Sequence, residues 1–395
     1  MVEAGREMAL GWGSFAPSRG SSDREAKAAT VRESRTTVRY PTLDLLRIVA
    51  VGMTVLLHAP SVSSQLPVIS SVQLGLNLGV DLFMLISGWL LGGQLIRDCR
   101  TGQLSAGRFY LKRWLRTLPP FYAVLIVLAS TGALSDAGGA AIASHFLFLQ
   151  EYLEVQQYGV SWSLCVEEHF YLLLPFLVPL IVRHGSGRRM LLAAVGVSVL
   201  EALVRTLVYA PGHHLPYLSH LRSEGLFLGL ALACVAECHP GAWAWLGRWC
   251  HVLFLVGAPA TGLAMLLSRT APSLLFFTGL PTLGTWALAF AFVATVHASS
   301  PLSRLSLPGA RYLGELTYCI YLVHTLAPAL LRHEALIQFR DSNAAALVVT
   351  LALSVLLHHA VERPFLTLRA RLLEARAKAQ LVVAPLARVR PGRLD

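Results

Sequence analysis

The chain has 395 residues, of which 55% are hydrophobic and only 14% are charged, and its formal net charge is +11. Soluble domains carry about 25% charged residues, so this chain has too few charges to cover the surface of a soluble protein of its size. Apolar runs recur from about residue 43 to residue 361 without a soluble insert. The composition therefore predicts one membrane domain.

The predicted elements form an all-α, polytopic membrane bundle of about ten transmembrane helices. The first 40 residues are polar and mildly basic and lack the apolar core of a signal peptide, which predicts a disordered cytoplasmic tail. Residues 41–368 form the predicted membrane domain, and the basic stretch 369–395 is a predicted cytoplasmic tail. A spanning helix needs about 20 mainly apolar residues. The ten candidate spans are roughly 43–60, 76–96, 117–134, 161–182, 190–210, 218–236, 250–268, 274–297, 312–331 and 344–361.

The distribution of Lys and Arg predicts the orientation of these spans. With the N-terminus inside, 27 of these residues lie on the inner side and five on the outer side, while Arg47 lies in the first span. Inner loops of membrane proteins are enriched in Lys and Arg, so both termini are predicted to be cytoplasmic. The net charge then reflects topology, and no nucleic-acid partner is expected. The six cysteines lack a CxxC pattern, so they are interpreted as core thiols, with no metal site.

The first predicted span carries two ionisable residues, Arg47 and His58. They are eleven positions apart, which places them on nearly the same helix face, about 16 Å apart along the axis. A charge that faces lipid is costly, so both are expected to face the interior of the bundle. The alternative is an arginine that reaches the membrane surface and a histidine bound to a backbone carbonyl.

The next segments combine acidic, hydroxyl and basic residues. Asp81 and Ser87 lie in the second span, where Asp81 is expected either at a site or paired with an arginine. The basic and aromatic segment 108–120 contains Arg113 and Arg116, three positions apart and thus on one helix face. Two guanidinium groups side by side suit a phosphate-rich ligand. The alternative is an anchor for lipid headgroups.

The fourth and ninth spans contain further chemistry. Trp162, Glu167 and Glu168 lie in the fourth span, and two adjacent carboxylates in an apolar run are difficult to explain by packing. Adjacent helical residues point about 100° apart, so the two carboxylates cannot share one role. Tyr321 and His324 lie three positions apart on one face of the ninth span, where they either line a cavity or link helices.

These motifs, in this order, resemble the acyltransferase-3 family of membrane O-acyltransferases. The resemblance covers about residues 40–368, but Leu45 and Ile48 stand where the family often has glycine, and His169 stands where glutamine is common. The segments that carry it are 43–58, 79–88, 113–120, 162–171, 313–324 and 361–365.

The resemblance implies transfer of an acyl group, usually acetyl, from cytoplasmic acyl-CoA to a hydroxyl of a glycan, glycolipid or small natural product. It implies no permanently bound cofactor and places the protein in a bacterial inner membrane, among lipids. His58 is the predicted general base or acyl carrier, Glu167 orients it, Arg47 positions the thioester, and Arg113 and Arg116 hold CoA phosphates. The other predicted substrate or CoA contacts are Asp81, Ser87, Trp162, Glu168, Tyr321 and His324. The competing prediction is a proton-coupled transporter of a small polar substrate, which also places ionisable residues in spans.

Overall fold

The computed structural model describes residues 40–59, 72–132, 134, 138–153, 158–184, 187–209 and 218–386. Within these ranges the regular structure is helical and contains no β-strand. The predicted N-terminal tail lies outside the described residues except for Tyr40, and so does the end of the predicted C-terminal tail, residues 387–395. Residues Tyr40–Arg369 form one compact unit.

The α-helices of the described residues are numbered here in chain order, and a π-helical turn, His358–Glu362, joins the last two. They are α1 (Pro41–Leu57), α2 (Leu78–Arg100), α3 (Ala106–Ser130), α4 (Gly138–Phe146), α5 (Trp162–His184), α6 (Gly187–Val208), α7 (Glu224–Cys238), α8 (Pro240–Arg248), α9 (Cys250–Thr270), α10 (Ser273–Thr278), α11 (Leu280–Val296), α12 (Ala310–Val323), α13 (Leu326–Leu331), α14 (Asn343–Leu357) and α15 (Arg363–Leu386).

Five helical segments in the described ranges are long and apolar enough to cross a bilayer, and a sixth arises if α7 and α8, which meet at a 111° bend, act as one span. The prediction of a helical membrane protein is confirmed, but the count of ten spans is not. The helices α1 and α11 have only 17 residues each, and α12 has 14. The 25 residues of α3 include the whole basic segment 108–120, which interrupts the apolar run of this helix.

Burial separates the central helices from those that face lipid. In the span that contains α2, 67% of the apolar window is buried, and in the α5 span 50% is buried. In the spans formed by α6, by α9 and by α14 with α15, only 22% is buried. An apolar surface of this extent is stable only against lipid, so α6, α9 and α14 face lipid, whereas α2 and α5 lie deeper in the bundle together with α7 and α12.

Local sequence determines where the helices of the site begin and end. Pro41 starts α1, where its missing N–H costs nothing. The hydroxyl of Ser105 caps α3 by accepting a hydrogen bond from the backbone N–H of Arg108 at 3.3 Å. The helix α12 packs beside α1, where a Cβ added at Gly314 would lie 3.1 Å from that of Asp44. Because α1 and α12 end side by side, the residues that follow them meet.

Candidate functional site

The C-terminal ends of α1 and α12 bring two histidines together. His58 follows the last residue of α1, and His324 follows the last residue of α12. His58 Nδ1 lies 3.3 Å from His324 Nε2, and the centroids of the two rings are 5.0 Å apart. His324 is 2% exposed, whereas His58 is exposed. The pair therefore has a buried member and an accessible member.

The partners of the two rings determine which nitrogens carry protons. His324 Nδ1 lies 2.6 Å from the carbonyl oxygen of Tyr321, and His58 Nδ1 lies 3.0 Å from that of Thr54. Carbonyl oxygens only accept hydrogen bonds, so Nδ1 carries a proton in both rings. Neutral His324 then has its lone pair at Nε2, where it accepts from His58. We assign the tautomers from these partners, and they leave the lone pair of His58 at its own Nε2.

Glu167 lies in α5 and connects it to α2 and α3. Its carboxylate accepts hydrogen bonds from Ser87 Oγ at 3.0 Å and from Arg113 Nη2 at 3.2 Å. Arg113 Nη2 also donates to the Tyr171 hydroxyl at 2.8 Å, and its guanidinium carbon lies 4.2 Å from the centroid of that ring. The expected contact between Glu167 and His58 is not among the contacts of the described ranges, since Ser87 and Arg113 hold the carboxylate instead.

Glu168 points to a different set of partners from its neighbour. Its carboxylate accepts from Trp114 Nε1 at 3.1 Å and from Thr117 Oγ1 at 3.2 Å. The hydroxyl of Tyr318 in turn donates to the Thr117 carbonyl at 2.7 Å. Glu168 therefore joins α5 to α3 close to α12, and the two adjacent carboxylates have separate environments.

Tyr321 joins α12 to the start of α5. Its hydroxyl donates to the carbonyl oxygen of Val160 at 2.8 Å and lies 2.5 Å from Ser163 Oγ. Its ring centroid lies 5.6 Å from that of His324. Because the Tyr321 carbonyl also bonds His324, the residue fixes the buried histidine from two directions.

A group of arginines lies beside the N-terminal half of α1, which contains Arg47. The charges of Arg116 and Arg113 act on Arg47, whose Nη1 is 3.4 Å from Asp44 Oδ1, and the charge of Arg116 also acts on Arg369. Arg113 turns into the interior, where it contacts Glu167 and Tyr171, and its side-by-side arrangement with Arg116 stays a prediction. Arg116 lies close enough to Arg47 and to Arg369 for its charge to act on both, and guanidinium groups that lie near one another suit a phosphate-bearing ligand.

Asp81 and Trp162 both contact Arg222. Arg222 Nη2 lies 3.0 Å from each carboxylate oxygen of Asp81, and these side chains are 6% and 3% exposed, respectively. The guanidinium carbon of Arg222 lies 5.4 Å from the Trp162 ring centroid. Of the two possibilities raised for Asp81, the observed contacts are those of a buried ion pair.

A second buried ion network, around Arg205, was not predicted from the sequence. Arg205 Nη2 lies 2.7 Å from Glu224 Oε1, and Arg205 Nη1 lies 3.8 Å from Glu201 Oε2. Arg205 and Asp81 both line a cavity whose walls are otherwise mainly apolar. The available signal was the spacing of Glu201 and Arg205, four positions apart within an apolar run, because such residues face each other on a helix.

Comparisons with known proteins place this arrangement in context. A family model of the acyltransferase-3 type, described as an acyltransferase domain, matches residues 40–359. Over 229 residues the chain is 28% identical to the peptidoglycan O-acetyltransferase of Listeria monocytogenes, a match that covers 52% of this chain and 35% of that protein.

Two further relatives have related names. The chain is 28% identical over 181 residues to a putative peptidoglycan O-acetyltransferase of Bacillus subtilis, covering 40% of this chain and 28% of that protein. It is 25% identical over 219 residues to a putative O-acetyltransferase of Staphylococcus aureus, covering 50% and 35%. The chain thus spans about a third of the length of these curated relatives. No solved structure matches it significantly.

Proposed function

Because this chain belongs to the acyltransferase-3 family, we propose that it is a membrane O-acyltransferase that uses cytoplasmic acyl-CoA, with acetyl as the transferred group. The acceptor is a hydroxyl group of a glycan, a glycolipid or a small natural product. The names of the relatives favour a glycan among these. The protein works in the bacterial cytoplasmic membrane with both termini on the cytoplasmic side.

The observation that carries this proposal is the arrangement of His58 against His324. With its Nδ1 proton held by the Thr54 carbonyl and by His324, His58 presents the lone pair at Nε2 to an acceptor hydroxyl. When His58 takes that proton, the positive ring remains bonded at Nδ1 to two acceptors. General-base help of this kind contributes roughly 10²–10⁴ in rate.

His324 takes the role that the sequence assigned to Glu167. It fixes the ring of His58 and the tautomer, as the third member does in nucleophile–base–orienter arrangements. Glu167 instead holds Arg113 within the bundle. The same Nε2 serves as base in direct transfer or as the atom that carries an acyl group, and trapping of a labelled acyl-enzyme distinguishes these routes.

The donor site lies at the arginine group. Arg47, Arg116 and Arg369 bind the phosphates of acyl-CoA through charge-assisted hydrogen bonds. Arg47 and His58 are about 16 Å apart along α1, and the extended pantetheine arm of CoA bridges a phosphate site and a distant thioester. Arg116→Ala should therefore raise the Michaelis constant for acyl-CoA more than it lowers kcat.

His58→Ala tests the proposed function directly. Purified wild-type protein in nanodiscs should release CoA from acetyl-CoA when membrane glycan is supplied, and mass spectrometry should detect the new ester. The variant should lose about 10²-fold or more of both signals. His251→Ala, at an exposed position of α9, is the control and should retain them.

Full CoA release and ester formation by His58→Ala would refute the role of His58. A proton-coupled transporter is the second candidate. Buried ion pairs such as Arg205–Glu224 lie within the apolar helices of this protein, and ionisable residues in such helices are also typical of proton-coupled transporters. A transporter would move its substrate without consuming acyl-CoA, so the absence of CoA release by the wild-type protein would favour it.

His324 is a positioning residue, and its variants separate positioning from packing. His324→Ala should lower kcat at least about tenfold without changing the Michaelis constant for acyl-CoA, because the donor phosphates bind elsewhere. His324→Gln supplies an amide oxygen that can accept the His58 N–H and should recover part of kcat. Equal loss in both variants, with a lowered melting temperature, would indicate a packing role.

A further inference from the structure

Three potential metal ligands lie together where α12 meets the turn between α14 and α15. They are Cys319, His358 and Glu362, and these residues are 0%, 6% and 1% exposed, respectively. Cys319 Sγ lies 3.2 Å from Glu362 Oε2, and His358 Nδ1 lies 2.8 Å from the same oxygen. One donor atom from each residue lies within 4.8 Å of the other two.

The π-helical turn creates this arrangement. His358 and Glu362 are its first and last residues, four positions apart, so both side chains face α12. A π-helical turn within a helix is rare and frequently marks a functional site. Cys319 approaches from α12, a helix distant in sequence. Sequence spacing therefore concealed the cluster.

The donor types and separations suit zinc. Thiolate, imidazole and carboxylate are the usual zinc ligands, with bond lengths of about 2.0–2.3 Å. Donor atoms around a tetrahedral ion then lie about 3.3–3.7 Å apart. The separations of 2.8 and 3.2 Å need to widen by less than about 1 Å, which small side-chain rotations provide.

Charge balance also favours a divalent cation at this cluster. A thiolate and a carboxylate together neutralise a divalent cation, which removes the cost of burying either charge alone. Two arginines lie near the cluster, since the charge of Arg116 acts on Cys319 and that of Glu362 acts on Arg369. A site with no net charge does not repel these arginines.

We propose that Cys319, His358 and Glu362 bind one Zn²⁺ ion. Three protein ligands leave a fourth position for water or another ligand. The ion joins α12 to the junction of α14 and α15 and so stabilises the folded bundle, because a metal that binds only the native state adds its binding free energy to folding.

Elemental analysis of the full-length protein, purified without chelators, tests this site. Wild-type protein should contain about one zinc per chain, and Cys319→Ser and His358→Gln should reduce the content to background. Two matched control variants should retain zinc. Cys250→Ser replaces a buried thiol in α9, and His359→Gln replaces a histidine that contacts the hydroxyl of Tyr312.

If the variants fail to fold, metal binding by the wild-type protein alone tests the site. After exchange with Co²⁺, a thiolate-to-cobalt charge-transfer absorption is expected. Wild-type protein that holds no metal after incubation with Zn²⁺ would overturn the proposal and leave a hydrogen-bonded cluster. Zinc retained in full by folded Cys319→Ser and His358→Gln would overturn it as well.

Discussion

At the scale of single residues, the interior of this protein is organised by ion pairs that tie helices together. Arg222 meets both oxygens of Asp81, and Arg113 meets Glu167. Charges inside a bilayer are stable only when they are paired or face water. The arginine partners of Asp81 and Glu167 therefore explain why these two carboxylates lie in the spans, whereas Glu168 is held by Trp114 and Thr117.

The Asp81–Arg222 pair predicts a specific pattern of stability. Asp81→Leu alone leaves a buried guanidinium unpaired and should destabilise the fold by about 3–5 kcal/mol. The double variant Asp81→Leu with Arg222→Leu removes both charges and should recover much of that loss. Thermal unfolding of the purified protein in detergent measures both.

Arg311 provides the control for this prediction. Its side chain is 72% exposed, as part of the pair with Glu315, and Arg311→Ala should change stability by less than about 1 kcal/mol. If the double variant at Asp81 and Arg222 proved no more stable than Asp81→Leu, the charges would have a role beyond their mutual neutralisation.

At the scale of helices, glycines determine how closely α2 and α7 approach. A Cβ at Gly88 would lie 2.1 Å from the carbonyl oxygen of Leu226, and a Cβ at Gly229 would lie 2.2 Å from that of Leu85. Small residues permit such backbone contact between membrane helices. The crossing also sets the position of Ser87 and hence of Glu167.

Gly88→Ala should disrupt this crossing. The added methyl group meets backbone that cannot rotate away, so we expect a loss of about 1–3 kcal/mol or more and a lower unfolding temperature. Gly196→Ala is the matched control in α6, because a Cβ there has no neighbour within 4 Å. Alanine improves helix propensity, so the control should be neutral or slightly stabilised. Equal behaviour of the two variants would contradict the close approach of α2 and α7.

At the scale of the whole molecule, the chain is an integral membrane protein whose most buried candidate span contains α2. Exposed leucines cover α6, α9 and α14, with Leu207, Leu255 and Leu356 74%, 70% and 64% exposed. This surface is stable in lipid. The orientation within the membrane follows from the Lys and Arg distribution and stays a prediction.

Cysteine labelling tests that orientation across α3, the helix that carries Arg113 and Arg116. Gln103 and Thr131 are exposed residues that flank its two ends. In a Cys99→Ser background, Thr131→Cys should react with an impermeant maleimide in intact cells, whereas Gln103→Cys should react only after permeabilisation. The reverse pattern would place the arginine group on the outer side and exclude a cytoplasmic CoA at that site.

The sequence alone was sufficient for the helical membrane class and for the acyltransferase-3 family, which the family match confirms. Hydropathy and ordered motifs are local properties, and they are readable without a fold. The count of spans was less accessible, because helix length depends on where the chain bends, as between α7 and α8.

The tertiary structure decided which residues meet. His58 and His324 pair although 266 positions separate them, Arg113 contacts Glu167, and Cys319 joins His358 and Glu362. Sequence patterns place a side chain on a face of its own helix. Which face of another helix lies opposite depends on how the helices pack, and that packing is set by contacts distant in the chain, such as the glycine crossing of α2 and α7.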